Sequence, residues 1–167
     1  MKKVWIVLLL ICTAVMCGCG VQETLETIAD DVAAFVPTDA AEVQLSFPEE
    51  VEVSIMESAN GNKLYLCDGY SVTVQTMDGG DISKTLREIS GYDTEKLTVM
   101  KTVQKGTACY ESAWSTVGEK GDQSCRTVIL DDGTYHYAVT VMADYAQAGQ
   151  MRETWEKILN SVWINTD

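Results

Sequence analysis

From Val43 to Ala143 the chain is a run of short segments in which apolar and polar residues alternate, separated by turn dipeptides, and that rhythm leaves few folds open. Val51, Val53 and Ile55 alternate with Glu52 and Ser54. Asn60-Gly61 then turns the chain into 63–67, and Asp68-Gly69 turns it again into 70–76. Such dipeptides between alternating segments are strong hairpin signals. Further on, 97–104 turns at Lys105-Gly106 into 107–117, a loop over 118–122 leads to 123–130, and Asp131-Asp132-Gly133 leads to 135–143. Successive side chains on a strand point to opposite faces, so this pattern predicts an antiparallel meander with an apolar face that must be covered.

Two helical stripes can cover it. After Gly79-Gly80, Asp81 is placed to cap a short helix whose apolar residues Ile82, Leu86 and Ile89 recur at helical spacing, with Gly91 just beyond. A second helix is predicted over 147–160, where Met151, Trp155, Ile158 and Leu159 form one apolar face. Val162, Trp163 and Ile164 follow as a buried tail. The fold class expected is α+β, an antiparallel β-sheet with a C-terminal helix and a short middle helix packed on it.

The N-terminus sets the address. Lys2 and Lys3 precede an apolar run from Val4 to Met16, shorter than the ~20 residues of a membrane span and of the length of an export signal. The run ends in Met16-Cys17-Gly18-Cys19-Gly20, which resembles a bacterial lipobox. Gly18 supplies its small residue, so Cys19 is the expected lipidation site. The expected organisation is a signal peptide over 1–18, a lipidated N-terminus and acidic helical linker over 19–42, and the α+β domain over 43–167. Within the linker, Val21, Leu25, Ile28, Val32 and Phe35 form a helical stripe whose other face carries Glu23, Glu26, Asp30 and Asp31, and Pro37 ends it.

Charge excludes some partners. The chain has 12 Lys and Arg against 25 Asp and Glu, and loss of Lys2 and Lys3 with the signal leaves 10 − 25 = −15. Nucleic acid is not an expected partner against such a field, and anionic head groups would repel the domain. Membrane attachment therefore falls to acyl chains, two of which suffice for stable anchoring.

The order of the parts resembles the PsbP-like (DcrB-like) family of α/β sandwiches. Ser46-Phe47-Pro48 opens the domain, a hairpin is followed by a short helix ending at Gly91, and Tyr135 begins a strand that runs toward the last helix with Trp155, Ile158, Leu159 and then Ser161-Val162. The likeness spans roughly 43–164. It implies an accessory or assembly subunit with no common active-site motif.

Pairing the meander about its turns places residues whose numbers sum to about 240 opposite each other in 107–130 and about 264 in the next pair. On that register Tyr110, Trp114, Arg126, Val128, His136 and Ala138 share one face, with Trp114 opposite Arg126 for a cation–π contact. Ala113, Cys125, Ile129, Tyr135, Tyr137, Val139 and Val141 share the other, as a core. Tyr110, Trp114, Arg126 and His136 are thus the candidate binding face.

His136 is the one histidine, but Cys109 and Cys125 are expected on the face away from it, so no Cys–His nucleophile pair is expected. Cys125 lies too far along the strands from Cys109 for a disulfide. With no CxxC and one histidine, no metal or cofactor is expected. Asp78-Gly79-Gly80-Asp81 and Asp131-Asp132-Gly133 lack the ligand pattern of a calcium loop and read as turns. The function expected is a lipid-anchored, extracytoplasmic, non-enzymatic binding or assembly module on the cell membrane, with an envelope protein as partner. The alternative is a small envelope hydrolase centred on His136.

Overall fold

The chain divides into two units, Met1–Ala34 and Phe35–Asp167. The computed structural model describes, within the second, residues 39–49, 51–58, 60–118 and 121–165. The lipobox with Cys19, the signal over 1–18 and the acidic stripe over 21–36 lie outside the described residues.

Among the described residues nine strands and three α-helices follow in order: β1 Val43–Gln44, β2 Ser54–Glu57, β3 Lys63–Cys67, β4 Tyr70–Asp78, α1 Ile82–Ser90, β5 Val99–Gln104, β6 Thr107–Gly118, β7 Gly121–Asp131, β8 Tyr135–Asp144, α2 Tyr145–Ala148, α3 Arg152–Asn160 and β9 Trp163–Ile164. Seven strands form one antiparallel sheet in the order β2-β3-β4-β8-β7-β6-β5, and β1 pairs with β9, Val43 opposite Ile164. The α+β class expected from the sequence is the one observed.

Helix α1 has the ends its sequence predicts. The Asp81 carboxylate accepts a hydrogen bond from Ser83 N at 2.9 Å, and Gly91 closes the helix at φ 75° with its N–H donating to Arg87 O. The expected 147–160 helix is instead two pieces. Gly149, Gln150 and Met151 separate α2 from α3, in keeping with the low helix propensity of glycine. The first extended stretch is also shorter than expected, since residues 51–53 are not strand and β2 begins at Ser54.

The helices cover opposite faces of the sheet. Trp155, Ile158 and Leu159 of α3, with Val162 and Ile164, pack with Val72, Val74, Val128, Leu130, Tyr137, Val139 and Val141. On the other face Leu86 of α1 packs with Ile129 and Ala138, flanked by Ile82, Ile89, Leu97, Val99 and Tyr110. The connection from β4 to β5 has to cross from an inner strand to the far edge, and that crossing is what lays α1 on the second face. Gly79 makes the crossing possible: a Cβ there would lie 2.5 Å from Thr134 O, so the chain passes against the β7–β8 turn only without a side chain.

Candidate functional site

Cα pairing shows the meander slipped from the expected register. β6 and β7 pair with residue numbers summing to 239, Trp114 opposite Cys125, and β7 and β8 pair with a sum of 267, Asp131 opposite His136. A shift by an odd number of residues exchanges the faces of a strand. Both slips are odd, one and three, so they cancel between β6 and β8 and leave β7 alone reversed. Tyr110, Trp114, His136 and Ala138 therefore share a face as expected, while Arg126 and Val128 point to the opposite one. Cys125 and Ile129 move the other way.

The expected Trp114–Arg126 contact is absent for that reason. Arg126 Nη2 donates to Glu111 Oε2 at 3.1 Å and its Nη1 lies 3.8 Å from Glu156 Oε1, so it ties β6 to α3 on the core side. Trp114 is half-buried, and so is Tyr110, whose ring lies under the ammonium of Lys101 at 5.1 Å. The hydrogen bond to Tyr110 raises the Lys101 pKa.

His136 sits under α1 with no exposed surface. Its Nδ1 shares a 2.7 Å hydrogen bond with the Thr85 hydroxyl, itself buried on α1. Nε2 has no hydrogen-bond partner, and Asp131 Oδ2 lies 3.8 Å away, beyond hydrogen-bond reach. A substrate would have to lift α1 to touch this ring. Cys125, now on the His136 face, is six positions from Asp131 along β7, ~20 Å at the strand rise. Cys67, Cys109 and Cys125 are free thiols. Burial raises the pKa of Cys109 and pushes Cys125 up to about 11, which keeps both as unreactive thiols at neutral pH.

The Asp131-Asp132-Gly133 turn spends its carboxylate oxygens within its own hairpin. Asp132 Oδ1 accepts from Thr134 N and Tyr135 N at 2.8 and 2.7 Å, its Oδ2 accepts from the Tyr137 hydroxyl at 2.7 Å, and Asp131 Oδ1 accepts from Gly133 N. Partial burial alone would push the Asp132 pKa up, but those hydrogen bonds outweigh it and the net shift is downward. Burial first, and then Asp132, push the Tyr137 hydroxyl up to about 12. The same hydroxyl oxygen accepts from Ala41 N at 3.0 Å, which pins the entry segment to the sheet.

One concave feature was not anticipated. At the β5–β6 hairpin a cavity of about 240 Å³ is lined by Gln104, Lys105, Thr107, Trp163 and Asn165, with Leu130, Val162 and Ile164 among its apolar wall. Trp163, expected to be buried with its neighbours, is 39% exposed, whereas Val162 and Ile164 are enclosed. Alternation in β9 turns Ile164 inward and Trp163 out. Lys105 Nζ stands 4.9 Å from the centroid of the Trp163 ring. The sequence signal was a lysine in a turn where asparagine or glycine is the usual first residue.

Neither a family model nor a curated protein sequence matches the chain. Solved structures do. LpqN of Mycobacterium tuberculosis, involved in cell envelope biogenesis, superposes with a TM-score of 0.51 at 9% identity over 77% of this chain and 87% of its own. A Bacteroides thetaiotaomicron protein gives 0.50 at 10% identity over 75% of this chain, which spans 46% of that one. The cyanobacterial PsbP of Synechocystis gives 0.49 at 8% identity over 79% and 98%. At these identities the first two matches show a shared fold and nothing about activity.

Proposed function

We propose that the protein is a lipid-anchored, extracytoplasmic module of a bacterial cell membrane that binds or helps assemble other envelope components and performs no catalysis. The observation that carries the non-enzymatic reading is the seal over His136: the one imidazole of the chain has no exposed surface and lies beneath a capped helix. Protonated, buried thiols at Cys109 and Cys125 point the same way. The fold shared with LpqN, an envelope-biogenesis protein, agrees with work in the envelope.

Anchoring rests on the sequence ending Met16-Cys17-Gly18-Cys19. Intact-mass analysis of the membrane fraction tests it. A lipid-sized increment on a chain beginning at Cys19, lost in Cys19→Ala and kept in Cys17→Ala, is the expected result. An increment that survives Cys19→Ala rejects the anchor. The partner surface is the half-buried Tyr110 and Trp114 on the α1 side, together with the exposed β5 edge beside them, where Val103 is 71% exposed. Arg126 and His136 drop out of it, one turned to the core side and one enclosed.

A further inference from the structure

Lys105 stands in a conformation its residue type does not favour. β5 and β6 close with Gln104 opposite Thr107, leaving a two-residue turn in which both Lys105 and Gly106 have positive φ, 50° and 88°. Such a turn suits Asn-Gly, because asparagine enters the left-handed region at little cost and a lysine does so less readily. Lys105 is the one non-glycine residue with positive φ among the described residues. Strain of this kind is a reason to ask what the side chain does there.

What it does is hold an ammonium over an exposed tryptophan at the rim of a cavity. In a chain with 25 acidic and 12 basic residues, Lys105 has no carboxylate within ion-pair distance among the described residues. Gln104, Thr107 and Asn165 are the uncharged polar residues that line the same cavity. A volume of about 240 Å³ is below the ~300–1,000 Å³ of sites for drug-sized ligands, and this open cavity has room for one ring and its substituents.

We propose that the cavity between the β5–β6 turn and β9 binds a sugar ring bearing a carboxylate, with the carboxylate on Lys105 where it covers Trp163, the ring beside the tryptophan, and the hydroxyls on Gln104, Thr107 and Asn165. A flat aromatic acid would leave three polar groups of the cavity unanswered, and a neutral sugar would leave the ammonium without its anion. The negative field of the domain opposes any anion at long range, but at physiological salt it is screened beyond ~8 Å, and contact with Lys105 is local. The inference rests on the reading of the domain as a binding module and names the ligand class of one of its sites.

The test uses the full chain in detergent micelles with fluorine-labelled tryptophan, the Trp163 signal being assigned from Trp163→Phe. Glucuronate is expected to shift that signal saturably, with glucose weaker by roughly tenfold or more, the loss of one charge-assisted contact. Acetate should leave it unmoved. Lys105→Asn should abolish the preference for glucuronate while raising the melting temperature, because it relieves the turn. A structural clasp between Lys105 and Trp163 would do the reverse, and a lowered melting temperature with an unchanged glucuronate response overturns the proposal. So do equal responses to glucose and glucuronate, a response to acetate alone, or no response. None of those failures bears on the lipid mass at Cys19, which judges the anchoring separately.

Discussion

On the face covered by α3, valines of β4, β7 and β8 meet Trp155, Ile158 and Leu159 in a continuous apolar layer. On the α1 face the buried apolar side chains are Leu86, Ile129, Ala138, Leu64 and Cys125, and enclosed among them are His136, Thr85, Thr127, Thr140 and Ser112. Those polar groups are paired: Thr140 Oγ1 donates to Thr127 Oγ1 at 3.0 Å, Thr127 Oγ1 to Val139 O at 3.2 Å, and Ser112 Oγ to Thr98 O at 3.2 Å. His136 joins them through Thr85 alone. One face derives its stability chiefly from area removed from water, the other from a smaller apolar patch together with hydrogen bonds among its enclosed polar groups. A lone histidine in the second setting is a structural group before it is a chemical one.

The comparison breaks first at Trp155, which is 5% exposed at the centre of the α3 layer. Trp155→Ala should destabilise the domain by ~3–5 kcal/mol, the range of aromatic truncations in cores, seen as a lower denaturant midpoint at unchanged slope. Trp114→Ala, on the α1 side and half-buried, should cost clearly less. Equal losses would mean that the two faces are packed alike.

A middle-sized effect belongs to the polar layer. Thr85→Val leaves His136 with no partner on either ring nitrogen, and should cost ~1–3 kcal/mol. Replacing both partners by apolar side chains, Thr85→Val with His136→Leu, should recover part of that loss. If the double variant is as unstable as the two single losses added together, the bond is not what the layer depends on.

Acid should sharpen the contrast further. The Asp132 pKa lies below its ordinary 3.8, so the stability it contributes is complete above that value and is lost as pH falls through the lower, folded one. Asp132→Asn should be less stable than the parent at neutral pH and lose less on acidification below about pH 4. Thermal melts from pH 7 to pH 2 measure this, and parallel curves would contradict it. The smallest change is expected at Arg126, whose pairs with Glu111 and Glu156 are partly solvent-exposed. Arg126→Gln should shift stability by no more than ~1 kcal/mol.

Much of the architecture was legible because local rules and the global fold agree. Asp81 and Gly91 bound α1 as caps do, and the two-residue turns at Asp68-Gly69 and Lys105-Gly106 fix their hairpins. Register across β6, β7 and β8 was not legible. The 118–122 and 131–135 stretches contain several glycines and aspartates, and composition does not say which residues are turn and which are strand. Gly118 pairs with Gly121, and Asp131 with His136. One residue of difference was enough to send Arg126 to the wrong side. Trp163 was misread for a similar reason, since a two-residue strand has no alternation long enough to show which side chain faces in. The seal over His136 was hidden because Thr85 lies on a helix 51 positions away, and no periodicity links the two.

Whether His136 is closed to solvent is open to a direct test with diethyl pyrocarbonate, which carbethoxylates accessible imidazoles. With a single histidine in the chain, peptide mass spectrometry reads one site. The folded protein should leave His136 unmodified under conditions in which the urea-unfolded chain is modified stoichiometrically. Modification of the folded protein at the rate of the unfolded chain would mean that α1 does not hold the ring closed, and the non-catalytic reading would fall with it.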